Sequence, residues 1–219
     1  MVRLSVDERV IEAAEGQSLL KACLQNDIYI PHLCYHENHS ESAASCRLCF
    51  VEIEGIPGPL TACTVKVAAG LRVTTDSPAV RRLQRSALRM LLSVHHVDCK
   101  HCHANKTCAL QAIAKFLKIG LNAKPLDRIL KSTELDQRHP VIDHYPNRCV
   151  LCGRCVEACR TSGDLPVFTF SGRGFNTVLR FHAAGPNGPP GCSDCRACIR
   201  VCPVGALQLR PVEDKSSSA

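Results

Sequence analysis

The sequence predicts an α+β protein of three successive units, residues 1–78, 79–138 and 139–219. Three observations carry this. The first unit combines strand-like alternation with one short helix, the middle repeats apolar residues at helical spacing, and the last holds two similarly spaced cysteine runs.

The alternating stretches Val2 to Val6 and Arg9 to Ala13 read as paired strands, with Asp7-Glu8 as their turn. Ser18 opens a helix reaching about Asn26, whose apolar face carries Leu19, Leu20, Cys23 and Leu24. Ile28 to Pro31 leads into a cysteine-bearing loop, and Phe50 to Ile53 and Leu71 to Thr74 read as further strands. Ser77 caps the next helix, Pro78 takes its first position, and Val80, Leu83, Ala87, Leu91 and Val94 recur on one face. The other face carries Arg81, Arg82, Arg85 and Arg89, either a solvated charged face or a docking surface for an acidic partner. A further helix spans Cys108 to Ile119, with Gly120 as its stop. The Gly/Pro-rich stretch Gly185 to Gly191 excludes regular structure, and Ser216 to Ala219 reads as a loose tail.

Apolar residues make up 45% of the chain, enough for a globular fold, but aromatics are only 4% and Trp is absent, so large side chains are scarce for a core. Sixteen cysteines imply that disulfides or metal supply the missing cohesion. Asp7, Glu8 and Arg9 interrupt the opening stretch, no signal peptide is legible, and no apolar run is long enough to span a bilayer. A cytoplasmic home follows, where thiols stay reduced and metal is the favoured reading. The formal charge of +7 counts every cysteine as neutral. Metal held on thiolates would change that sum, because each thiolate brings a negative charge, so the basic excess reads as compensation for the charge of the metal sites, not as a nucleic-acid surface.

The spacing of the cysteines is the strongest signal. Cys149-x2-Cys152-x2-Cys155-x3-Cys159 and Cys192-x2-Cys195-x2-Cys198-x3-Cys202-Pro203 follow the pattern of bacterial two-cluster ferredoxins. Three cysteines at x2 spacing wrap one 4Fe–4S cubane, and the fourth, inside a following helix, reaches the other cubane. One cluster then takes Cys149, Cys152, Cys155 and Cys202, the other Cys159, Cys192, Cys195 and Cys198. Arg160 stands where the first run lacks its proline. Structural zinc needs only pairs of Cys-x2-Cys and leaves the third x2 cysteine unexplained.

Cys34-x11-Cys46-x2-Cys49-x13-Cys63 offers four thiolates suited to a 2Fe–2S rhomb, with zinc as the alternative. His95-x3-Cys99-x2-Cys102-x5-Cys108 has only three thiolates and needs a fourth donor. His95 and Cys99, four apart, would share a helix face, but His96, His101 and His103 compete. Cys23, on the apolar helix face, reads as a small buried hydrophobe.

In this order the groups resemble the iron–sulfur segment shared by the large iron–sulfur subunit of respiratory complex I, iron-only hydrogenases, and the small diaphorase subunit of NAD-reducing nickel–iron hydrogenases. The matching stretches are Pro31 to His36, Ser45 to Glu52, Thr61 to Thr64, Thr75 to Pro78, and His95 to Gln111. The resemblance implies a β-grasp 2Fe–2S first domain, a helical His/Cys3 4Fe–4S domain with His95 as the ligand, and a ferredoxin-like domain for two 4Fe–4S clusters. Only seventeen residues follow Cys202, and length fits the diaphorase subunit best. Gly172-x-Gly174 lacks the third glycine and the βαβ setting of a dinucleotide turn, so neither NAD nor flavin is expected on this chain, and no nickel ligand set is legible. The expected role is a non-catalytic electron relay between the small and large subunits of a nickel–iron hydrogenase and a flavin/NAD-binding subunit. The same relay in a formate dehydrogenase or complex I-like enzyme is the alternative. A zinc-stabilised scaffold or RNA-binding module is the rival of another class, disfavoured by the cubane spacing and missing aromatic platforms.

Overall fold

A computed structural model describes residues 1–37, 42–132, 134–162, 167–182 and 192–211. The Gly/Pro-rich stretch and the C-terminal tail lie outside these residues.

Strands β1 (Val2–Val6) and β2 (Arg9–Ala13) form an antiparallel hairpin in the register Val2↔Ala13 to Val6↔Arg9. Leu4, Val6, Ile11 and Ala13 fall on the buried face, as a period of two requires. Asp7 takes a left-handed turn conformation, and its carboxylate accepts from both the backbone N–H and the hydroxyl of Thr75 at 2.8 Å. That pins the hairpin to the end of β5 (Arg72–Thr74), which runs parallel to β1. With β3 (Phe50–Ile53) and β4 (Leu60–Thr61) the sheet order is β2-β1-β5-β3-β4. Helix α1 (Leu19–Gln25), capped by Ser18 through the Lys21 N–H, buries Leu19, Leu20, Ala22 and Cys23 in the same core as the inner sheet face.

Helix α2 (Pro78–Ser93) begins as expected, with the Ser77 hydroxyl accepting from the Val80 N–H and Pro78 in the first turn. Its buried face is shifted from the expected one: Val80, Gln84, Ala87, Leu88 and Leu92 are inside, while Leu83 and Leu91 are only half-buried. The cause is a second neighbour. Besides α3 (Ala109–Leu117), α2 packs on β3, where the fully buried Gln84 amide donates to the Phe50 carbonyl. Helix α3 ends at Lys118, not Gly120, because Lys118 itself adopts the left-handed capping conformation. Arg81 stacks on Phe116 and pairs with Asp76, and Arg85 donates to the Leu117 carbonyl, so half of the four-arginine face joins α2 to α3.

The last unit is closed by β6 (Ile142–His144) pairing antiparallel with β9 (Leu207–Leu209). Between its cysteine runs lies a hairpin that the sequence pattern does not predict, β7 (Phe168–Ser171) and β8 (Val178–Phe181). Only Phe168 of β7 is buried, so no alternation marks that strand. Gly172 turns this hairpin at φ +84°, where a Cβ would sit 2.3 Å from the Asn176 carbonyl oxygen. A second apolar core draws on residues far apart in the chain: Leu33, Cys34, Cys46 and Leu48, then Leu88, Leu92, Cys108 and Ile113, then Val150, Cys152 and Val204. No helix among the described residues is long and apolar enough to cross a membrane.

Candidate metal centres

Each cysteine group is turned inward by backbone that local propensity disfavours. Arg47, Lys106, Leu151 and Arg196, one inside each group, adopt positive φ between 50° and 72°. A side chain there costs about 1–2 kcal/mol, so the surroundings must impose it.

Cys34, Cys46, Cys49 and Cys63 are all at most 6% exposed and lie around the loops flanking β3 and β4. The Sγ atoms of Cys34 and Cys46 are 3.5 Å apart, and Cys49 and Cys63 form a second thiol pair. Contact with Cys46 lowers the Cys34 thiol, while contact with Cys34, joined by burial, pushes Cys46 up. In the same way contact with Cys49 lowers Cys63, and contact with Cys63 raises Cys49. One thiol of each pair therefore gives up its proton readily, and release of the other needs positive charge between the pairs. Ferric ions supply such charge, so the donor set fits a 2Fe–2S centre.

The middle group differs from the sequence expectation in one respect. His95 and Cys99 do not share a helix, since α2 stops at Ser93 and Cys99 begins a separate 3-10 turn, Cys99–His101. They still meet: His95, His96, Cys99, Cys102 and Cys108 line one cavity. His95 is 8% exposed, and its Nδ1–H donates to the Arg148 carbonyl at 2.8 Å, which leaves the Nε2 lone pair free to bind metal. Burial also lowers its basicity, favouring the neutral ring a ligand needs. His101 pairs with Asp98 at the surface, and His103 is exposed beside Tyr145.

Cys149, Cys152, Cys155 and Cys202 line one small cavity together with Phe170, Leu179 and Val204. Cys155 and Cys159 both ride on α4 (Arg154–Ser162), and burial first, then the charges of Cys149, Cys152 and Cys202, drives the Cys155 thiol up. Cys192 and Cys195 bound the short α5 (Cys192–Cys195), and Cys198 lies in α6 (Ala197–Arg200). The Cys198 thiol, pushed to about 12 by burial, feels Cys159, Cys192 and Cys195 as its charged neighbours. The two runs thus exchange their last cysteines in space. Cys202 lies just past α6, not inside a helix, and the Ala206 N–H donates to its sulfur at 3.3 Å.

Residues without a sequence signature also belong here. Arg154 carries a buried Nε–H with no protein acceptor, and the sulfurs of Cys152, Cys202 and Cys34 act on its charge. An orphaned guanidinium donor among thiolates fits inorganic sulfide as its acceptor. Val204 walls both the His95 cavity and the Cys149 cavity. Cys23 is fully buried, and its thiol is pushed up to about 12 by desolvation, as an inert core residue.

Three family models match along the chain: a 2Fe–2S iron–sulfur cluster binding domain over residues 1–78, the NADH-ubiquinone oxidoreductase-G iron–sulfur binding region over 84–121, and a 4Fe–4S binding domain over 142–162. With the grouped cysteines they define an iron–sulfur protein carrying both cluster types. A chain of a solved NAD+-reducing [NiFe]-hydrogenase superposes with a TM-score of 0.86 at 32% identity, over 98% of this chain and 90% of that one. The chain belongs to the family of iron–sulfur subunits of NAD-reducing nickel–iron hydrogenases. Curated relatives are longer. The NADPH-Fe(3+) oxidoreductase subunit alpha of Geobacter sulfurreducens is 32% identical over 96% of this chain and 24% of its own length. The NADP-reducing hydrogenase subunit HndD of Solidesulfovibrio fructosivorans is 32% identical over 94% and 36%. The NADH-ubiquinone oxidoreductase 75 kDa subunit of Reclinomonas americana is 30% identical over 96% and 30%. The chain therefore spans a quarter to about a third of these curated relatives.

Proposed function

We propose that this chain is the electron-relay subunit of a cytoplasmic NAD-reducing hydrogenase, joining a nickel–iron hydrogenase module of small and large subunits to a flavin/NAD-binding diaphorase subunit. Its ligand sets are Cys34/Cys46/Cys49/Cys63 for a 2Fe–2S cluster, His95/Cys99/Cys102/Cys108 for a 4Fe–4S cluster, and the crossed sets Cys149/Cys152/Cys155/Cys202 and Cys159/Cys192/Cys195/Cys198 for two more. The order β2-β1-β5-β3-β4 under α1 supports the β-grasp reading of residues 1–78, followed by the His/Cys3 unit to 138 and the two-cluster ferredoxin-like unit to 219. One observation carries the relay reading: sulfurs from three of the four sets enter a single apolar core. When bound, the clusters supply one-electron transfer. The protein's own part is to hold them close together, exclude water with residues such as Val204, Leu179 and Phe170, and place the Arg154 charge between two sets.

Crossed ligation has a direct test. Cys159→Ser and Cys195→Ser should perturb one and the same cluster spectrum, and Cys202→Ser should match Cys149→Ser. Spectra that pair Cys159 with Cys149 contradict the assignment.

The relay itself is tested by reconstitution. The isolated chain should reduce no NAD, NAD reduction should require an added flavin subunit, and hydrogen-dependent NAD reduction should further require the nickel–iron pair. Steady NADH formation by the single chain overturns the reading. The names of the Reclinomonas and Geobacter relatives favour a second reading, the same relay in a complex I-like or other NAD(P)-linked enzyme; formate dehydrogenase remains the further alternative. The partner subunits that copurify separate these.

A further inference from the structure

We propose that His139 is a dedicated positioning residue for the Cys159/Cys192/Cys195/Cys198 cluster, donating a fixed N–H···S hydrogen bond to Cys192 that raises the cluster's reduction potential.

His139 follows no cysteine at ligand spacing, and its sequence neighbourhood gives it no role. Yet it is 3% exposed, and its Nε2 lies 3.3 Å from the Cys192 sulfur. Which ring nitrogen bears the proton is fixed by the other side of the ring. The backbone N–H groups of Val141 and Ile142 both point at Nδ1, each at 3.1 Å. A nitrogen that receives two donors must offer its lone pair, so the proton sits on Nε2 and faces the sulfur.

The ring cannot swing away. Phe168 stacks on it at 5.9 Å with planes 7° apart, and Phe181 lies 4.3 Å off at 52°. The backbone is held as firmly: Arg210 donates to the carbonyls of Gln137, His139 and Pro140 while its Nε–H binds Asp143. Because Nδ1 accepts both backbone N–H groups it carries no proton of its own, so the ring is a neutral donor and not a second cation.

A neutral N–H aimed at a ligating thiolate stabilises electron density on sulfur. One-electron reduction makes the cluster more negative, so the bond strengthens on reduction and the potential rises. The aromatic walls exclude competing water, which keeps the local dielectric low and the effect large. Among the described residues Cys192 is the one cysteine hydrogen-bonded to His139, so the shift should be confined to one cluster.

The inference rests on Cys192 being a ligand, and the test separates the two. In the full cluster-loaded chain, Cys192→Ser should remove or alter one 4Fe–4S signal; retention of all four signals would sink the ligand assignment and with it the role of His139. His139→Phe keeps the ring stack and removes the donor, and redox titration followed by electron paramagnetic resonance should show one 4Fe–4S midpoint moved to lower potential, the others unmoved. His139→Gln, which restores a side-chain N–H, should recover part of the shift. An unchanged midpoint in a fully loaded His139→Phe protein overturns the proposal, as does an equal shift in all clusters. Should His139→Phe fail to load that cluster, the wild-type protein decides. With histidine labelled by nitrogen-15, pulsed resonance at the reduced cluster should detect weak coupling to one non-ligating imidazole nitrogen and to one exchangeable proton. Absence of both contradicts the bond.

Discussion

Extracting the clusters under anaerobic, reducing conditions should unfold most of the chain, with loss of the helical circular dichroism and of any sharp melt beyond the first unit. The reason is the composition of the cores. The core of the first unit is built mainly from Leu4, Val6, Ile11, Leu19, Leu20, Ile30, Val51, Ile53 and Val73, and can persist in part. The second core has Cys34, Cys46, Cys108 and Cys152 among its buried members, with Cys149 and Cys202 against it, and the third has Cys198 with Cys155, Cys159 and Cys192 around it. Without metal these sets lose the bonds that would tie sulfurs from distant parts of the chain to one another within those cores. A domain's net stability is only about 5–15 kcal/mol, and structural metal alone contributes about 10–16 kcal/mol in small metal-folded units. An apoprotein with native circular dichroism and a cooperative melt contradicts this.

Replacing His95 by Ala should cost the middle cluster, or leave it with one labile iron, while the 2Fe–2S signal survives. In the proposed set the imidazole is the one non-thiolate donor, and Cys99, Cys102 and Cys108 alone would leave a cubane iron without its protein ligand. His96 lines the same cavity but is half-buried, and its backbone N–H, at 2.7 Å from the Asn147 carbonyl, ties down the chain and not the ring. His96→Ala should therefore keep all clusters. Loss of the same signal in both variants, or in His96→Ala alone, would move the ligand. His95→Cys adds one negative charge to the cluster and should lower its potential; a raised value would mean that hydrogen bonding outweighs ligand charge.

How far the sequence speaks depends on the kind of signal. Spacing speaks where periodicity is silent: the x2-x2-x3 runs lead to the expectation of a crossed ligand set, and in the structure Cys159 lies near enough to Cys198 to act on its thiol. Strands β1, β2 and β3 are legible to the residue because one face is buried and the other wet. The β7–β8 hairpin is not, for three of the four β7 residues face solvent. The helix-face argument brings His95 beside Cys99 for the wrong reason, since Val94 ends α2 and the ring is set by the distant Arg148 carbonyl. Gln84, Arg154, His139 and Val204 are silent in sequence because their roles come from neighbours far along the chain, such as Phe50 for Gln84 and Cys34 for Arg154. The basic face of α2 is visible as charge, but its use is not: Arg81 and Arg85 bind their own protein, leaving Arg82 exposed and Arg89 half-buried.

The central claim is that fifteen cysteines and one histidine hold four clusters. Metal and acid-labile sulfide analysis of the anaerobically purified chain tests it most directly. One 2Fe–2S and three 4Fe–4S clusters require about fourteen iron atoms and as many sulfides per chain, in a brown protein. A colourless protein holding several equivalents of zinc and little iron contradicts the account.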